Sequence, residues 1–141
     1  MFYKPLLVPL MALVFLTFLV WVYMYVTRLS EIKRKSIDPQ TLDTRVRGQA
    51  LLTDSPAQAD NLKNLFELPV LFYVAVLLAL VLMIQDKFLV QLAWSYVALR
   101  YVHSVVHCTY NRVMHRFIAY AVSSLILMLM WARLATYVLM H

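Results

Sequence analysis

Four runs of apolar residues, separated by short polar connections, dominate this 141-residue chain. The first, PLLVPLMALVFLTFLVWVYMYV, contains 22 residues without a charge. A bilayer core about 30 Å thick is crossed by about 20 apolar residues in a helix, so each run is long enough to span. Composition agrees: mean hydropathy is +0.72, only 14% of residues are charged, and there is one glycine. Soluble domains carry about 25% charged residues. The first run follows only Lys4, exceeds a signal-peptide core of about 7–15 residues, and ends without a small-residue cleavage site. It reads as a retained span. The single cysteine, Cys108, excludes an internal disulfide framework and CxxC-type motifs.

These runs predict an all-α integral membrane protein, a four-transmembrane-helix bundle forming one domain over residues 1–141. The spans fall at approximately 6–27, 56–84, 88–109 and 113–140, with a polar connection over 28–55. Inside that connection Asp38 is placed as an N-cap with Pro39 at the first helical position, which predicts a short interfacial helix. Ser55, Pro56 and Gln58 predict the start of helix two through a capping box. QDK predicts a tight turn. Pro69 removes an amide and crowds the preceding turn, so it should kink helix two and loosen the Leu65 carbonyl.

Nine lysines and arginines (Arg28, Lys33, Arg34, Lys35, Arg45, Arg47, Lys63, Arg112 and Arg116) fall on one side of this plan. Lys4, Lys87 and Arg133 fall on the other. Basic residues accumulate in the cytoplasm. The 28–55 connection should therefore be cytoplasmic and both termini non-cytoplasmic. Topology accounts for the charge of +6, and no nucleic-acid partner is expected.

An ionisable residue inside a span is a functional hypothesis by default. Arg100, His103, Ser104 and His107 share one face of helix three at i, i+3, i+4 and i+7. Asp60, Asn64 and Glu67 share one face of helix two. Helices two and three should be antiparallel neighbours, so Glu67 and Arg100 fall at comparable depth and form the natural ion pair. His103 and His107 have a spacing permissive for a metal, but the surrounding arginines oppose a further cation, and none is expected. Tyr3, Tyr23, Tyr25, Tyr101 and Tyr137 lie near expected interfaces and read as belt residues. Tyr110 and Tyr120 flank the basic mouth. Arg100, Arg112 and Arg116 offer forked donors suited to carboxylates. Asn64 and Glu67 suit an ammonium or amide. A small anionic peptide-like molecule with a free amine fits this set; if it carried a thiol, an adjacent arginine would favour the thiolate.

NLKNLFELPVLF and RYVHSVVHCTYNRVMHRF resemble the helix-two and helix-three-to-four signatures of the MAPEG family, the membrane-associated proteins in eicosanoid and glutathione metabolism. The resemblance covers nearly the whole chain and lies closest to small bacterial members. It implies a homotrimer in the bacterial inner membrane, with glutathione as co-substrate at the cytoplasmic end between subunits, and a transferase or peroxidase acting on lipophilic electrophiles. Carried over by position, Asn64, Glu67 and Arg100 would hold glutathione; His103 and His107, on the same face of helix three as Arg100, are added as binding candidates from their spacing. Arg116 would stabilise the thiolate, and Arg112 is the alternative for that role. Tyr120 falls near a ligand-contacting tyrosine, and Arg28 would reach an adjacent subunit. The chain departs from the family pattern at Asp60, where an arginine is common, and at His107, where a tyrosine is common. Two other readings stay open: a non-catalytic membrane protein binding a lipid headgroup or other small anion in the same pocket, and a proton- or ion-handling protein built on Glu67, His103 and His107.

Overall fold

The computed structural model of the chain describes residues 4–140; Tyr3 lies outside them. In order they form α1 (Lys4–Lys35), a 3-10 turn (Pro39–Leu42), α2 (Arg45–Leu51), α3 (Pro56–Leu65), α4 (Leu68–Val81), α5 (Lys87–Cys108) and α6 (Val113–Met140). There is no strand among the described residues. Among the described residues, three segments are long and apolar enough to cross a membrane: α1, the α3–α4 pair over Pro56–Val81, and α6. Their outer faces are apolar and exposed, as at Phe15, Phe18, Leu125 and Met128, which is the surface a lipid solvent favours. The fourth expected span, α5, does not reach the same apolar standard. It instead turns a polar face inward and packs against α6, α1 and α3.

The core is built where these helices meet. Leu13, Phe72, Val76, Leu89, Tyr96 and Met130 belong to one buried cluster. Phe72 stacks on Tyr96 with ring centroids 4.8 Å apart. Tyr101, expected in an interfacial belt, instead donates to the Ala12 carbonyl of α1 at 2.7 Å and ties α5 to α1.

Helix two differs from the single kinked helix that the sequence predicts. It is cut in two at Phe66 and Glu67, because Pro69 has no N–H with which to continue the ladder. Phe66 N–H donates back to the Lys63 carbonyl and Glu67 N–H to the Asn64 carbonyl, both in i to i−3 fashion. The Asn64 carbonyl is thereby left outside the regular helical pattern, one residue before the carbonyl expected to loosen. The helix begins at Pro56 as predicted, but the capping box does not form. The Ser55 hydroxyl donates instead to Glu31 at 2.8 Å and makes no cap bond.

Glu31 explains how the polar connection is held. At about 1.5 Å per residue, the eight residues of α1 past Thr27 carry it about 12 Å beyond the apolar run. There the buried Glu31 carboxylate receives Lys35 Nζ at 2.6 Å, the Asp54 amide at 2.9 Å and Ser55 Oγ. Arg34 pairs with Asp54 nearby. The expected interfacial helix is a single 3-10 turn, capped as predicted by Asp38, which accepts from the Gln40 amide at 3.0 Å.

At the opposite end Asp86 does two jobs. Its Oδ1 caps α5 by accepting from the Phe88 amide at 2.9 Å, and its Oδ2 receives Arg133 Nε of α6 at 2.6 Å. Burial alone would raise this carboxyl, but the bonds from Arg133 and from backbone amides hold it below the ordinary aspartate range. A carboxyl depressed in the folded state contributes stability that is complete above its unfolded value, near about 3.9, and lost as pH falls through the folded value. Asp86→Ala should therefore cost about 1 kcal/mol at neutral pH, the usual worth of an N-cap. The gap from wild type should close in acid below the folded value. Thermal unfolding in detergent across a pH series checks this; a gap independent of pH would contradict it.

Candidate functional site

The inward face of α5 is the polar centre of the molecule. Arg100 is 0% exposed, and His103, Ser104 and His107 are buried beside it, the one-face grouping expected from their spacing. Each finds partners on α3 or α6. Arg100 Nη2 donates to the displaced Asn64 carbonyl at 3.1 Å, and its guanidinium carbon lies 5.4 Å from the Tyr120 ring centroid. Ser104 Oγ donates to Asn61 Oδ1 at 3.2 Å, and Asn61 Nδ2 reaches Cys108 Sγ at 3.3 Å.

The histidines are fixed by Arg116. His103 Nδ1 lies 3.1 Å from the Arg116 carbonyl, and His107 Nε2 lies 3.0 Å from Arg116 Nη1. A carbonyl only accepts and a guanidinium only donates. This network assigns the His103 proton to Nδ1 and the proton of neutral His107 to Nδ1 as well. Arg116 Nη1 also donates to Asn111 Oδ1 at 2.9 Å. Asn111 itself adopts a left-handed φ of 47° at the turn between α5 and α6, and its amide closes that turn on the Val106 carbonyl at 2.8 Å. Asparagine tolerates this conformation better than most residues.

Several polar atoms in this cluster are buried with no hydrogen-bond partner among the described residues: Arg100 Nε and Nη1, His103 Nε2, His107 Nδ1 and Tyr96 Oη. Buried polar groups are ordinarily satisfied, so such a concentration calls for an explanation. With the tautomers above, Arg100 and His107 offer N–H donors and His103 offers an acceptor. A donor-rich, positively charged cluster of this kind has the chemistry to pair with a carboxylate or another small anion.

The structure thus brings Arg100, His103, His107, Arg116 and Tyr120 together, with the backbone of Asn64. Glu67 stays at its edge, and no ion pair among the described residues joins it to Arg100. The expected Glu67–Arg100 ion pair does not form: α3 ends at Leu65 and buries Asn61 and Leu65, while Glu67 follows the break with its side chain exposed, near enough to act on Arg100 electrostatically but not paired with it. Asn64 is half-buried and contributes its carbonyl to the cluster. Arg112 is exposed at the mouth. Arg28 lies elsewhere, lining a cavity between α1, α2 and α3.

Sequence reasoning missed Asn61 and Glu31. Asn61 stands four residues before the buried Leu65, so the helical period that marks the core face also marks it. Glu31 had only a weak signal, as one acid within the basic stretch RLSEIKRK.

The MAPEG family model matches residues 6–136, nearly the whole length, and the chain belongs to the MAPEG family. It is therefore a membrane protein of the group associated with glutathione and eicosanoid metabolism. No curated protein and no solved structure matches it.

Asn61 joins α3 to α5 through two side chains at once. Asn61→Ala should cost about 1–3 kcal/mol, because it leaves the buried Ser104 hydroxyl without its acceptor. It should also speed alkylation of Cys108, the only thiol in the chain. Maleimide labelling rates and unfolding midpoints in detergent check both effects; unchanged labelling would show that Asn61 does not shield the sulfur.

Proposed function

We propose that this MAPEG protein is a glutathione-dependent enzyme of the membrane, a transferase or peroxidase acting on lipophilic electrophiles. The observation that carries this reading is the set of buried, unpartnered donors on Arg100 and His107 immediately beside Arg116. In this reading a glutathione carboxylate takes those donors, while Asn64 and Glu67 receive its amine and amide groups. Tyr120 flanks the cluster. Arg116 stands against the sulfur, where its positive charge favours thiolate over thiol. Arg112, at the exposed mouth, is the alternative for that role.

The thiol proton leaves to solvent. In a transfer reaction the thiolate sulfur forms a bond to the electrophilic carbon as the bond to the leaving group breaks. In a peroxidase reaction it attacks the O–O bond of a hydroperoxide, giving a sulfenic acid and an alcohol; a second glutathione then yields the disulfide and water. No covalent intermediate with the protein forms. Holding both reactants together contributes up to about 7–11 kcal/mol in well-oriented systems.

The reading includes a four-span homotrimer in a bacterial inner membrane, with both termini outside the cytoplasm. Glu67 supports assembly: an exposed carboxylate at the edge of an apolar surface is costly in lipid, and a basic group of a second copy would match it. Asp60 favours a second reading. An acid at the position where the family commonly has arginine opposes a bound carboxylate and suits a binder of another small anion, without catalysis.

Conjugation of glutathione to a chromogenic electrophile by the purified protein tests the proposal. Arg116→Gln should lower kcat by about 10²–10³, the usual effect of losing one charge-stabilising donor. It should also move the pH–rate profile upward, since a thiol without its cation ionises at higher pH, and Arg116→Lys should restore part of both. No conjugation above the protein-free rate, with glutathione still bound, would overturn catalysis and leave the anion binder.

A further inference from the structure

On the side of α3 away from the Arg100 cluster, two cavities run end to end. The first, of about 660 Å³, lies between the polar end of α1, α2 and α3 and is lined by Arg28, Arg45 and Lys63 together with Asp43 and Asp60. The second, of about 420 Å³, lies deeper, against Val14, Phe18 and Trp21 of α1 and Tyr73 of α4. Leu62 and Phe66 line both, so the polar chamber and the apolar groove adjoin across these two side chains, at the break in helix two.

The chemistry of the two chambers is sharply divided. In the upper one, Asp43 is already held by Arg47 through both oxygens at 3.0 Å. None of Arg28, Arg45 and Lys63 takes part in an ion pair among the described residues, and Arg28 Nε is buried without a hydrogen-bond partner. Three cations thus face one uncommitted carboxylate, Asp60. In the lower chamber the Thr17 hydroxyl is spent on the Leu13 carbonyl at 3.0 Å, leaving a predominantly hydrocarbon lining.

From Arg28 to Val14 along α1 is about 21 Å at 1.5 Å per residue. That is somewhat more than the depth of one leaflet's hydrocarbon, about 15 Å. An occupant must therefore be anionic at one end, apolar at the other and about one leaflet long.

We propose that each chain holds one phospholipid of net negative headgroup charge, its phosphate among Arg28, Arg45 and Lys63 and one acyl chain in the groove beyond Leu62 and Phe66. The site shares none of its lining with Arg100, His103, His107, Arg116 or Tyr120; of the residues that the family resemblance implicates it takes Arg28 and Asp60. It also gives Arg28 a role within its own chain. Because the α2 segment roofs the upper chamber, a bound lipid bridges α1 to the polar connection and α3.

Native mass spectrometry of the full-length protein, delipidated in detergent and then offered phosphatidylglycerol or phosphatidylcholine, tests this. One phosphatidylglycerol per chain should be retained under conditions that strip phosphatidylcholine. Retention should fall at least fivefold in the Arg45→Gln/Lys63→Gln double variant, whose two positions are exposed, and in Val14→Trp, which fills the groove. Should Val14→Trp fail to fold, the charge variant decides alone. Equal retention of the two lipids, or retention unchanged by the charge variant, would overturn the proposal. So would glycerol phosphate binding as tightly as the whole lipid, which would mean a headgroup site with no acyl contribution.

Discussion

A guanidinium with no exposed surface, at the centre of a membrane bundle, sets the terms for the rest of this molecule. For scale, an arginine at the centre of a transmembrane helix costs about 2.5–3.5 kcal/mol even on insertion scales, and no carboxylate among the described residues forms an ion pair with Arg100. Two contacts offset the cost. A hydrogen bond from a charged donor is worth about 1.5–3 kcal/mol, and Arg100 makes one to the Asn64 carbonyl. A desolvated cation over an aromatic face adds about 2 kcal/mol, which Tyr120 supplies. These sums are comparable, so the burial is tolerable. They still leave the N–H groups on Nε and Nη1 unmet.

Both contacts depend on features that would otherwise count as defects. Without Pro69 the Asn64 carbonyl would accept the amide of residue 68 in an ordinary helix and be less available to Arg100. Tyr120 reaches Arg100 because α5 and α6 are joined by a turn closed through the left-handed Asn111. That same turn brings Arg116 back over His107. The helix break and the strained turn therefore act together: one supplies a carbonyl, the other an aromatic ring and a second arginine, and both serve the face of α5 that cannot be apolar.

Much of this was readable from the residues. The helix bounds at Val113–Met140 match, those of α5 differ by a residue at each end, and the buried face Arg100–His103–Ser104–His107 follows directly from helical spacing. What was not readable turns on one proline. Spacing placed Asp60, Asn64 and Glu67 together and aimed them at Arg100, on the assumption that helix two stays continuous. The helix instead breaks at Phe66–Glu67, with Asn61 buried before the break and Glu67 exposed at it. Spacing also sees side chains and not carbonyls, so it named Asn64 for its amide when its backbone oxygen makes the contact. Ser55 shows the same limit in another form: its cap sequence is sound, but Glu31, twenty-four residues away, offers a better acceptor.

On the proposed function, the unmet donors of Arg100 bind the carboxylate of a glutathione molecule. Isothermal titration of glutathione into the detergent-purified protein, with Arg100→Ala in parallel, tests it most directly. Saturable heat at millimolar affinity or tighter in the wild type, lost in the variant while helicity is kept, is the expected result. No heat from the intact wild-type protein, or equal heat from both proteins, would contradict the claim and leave a MAPEG fold whose buried arginine serves another ligand.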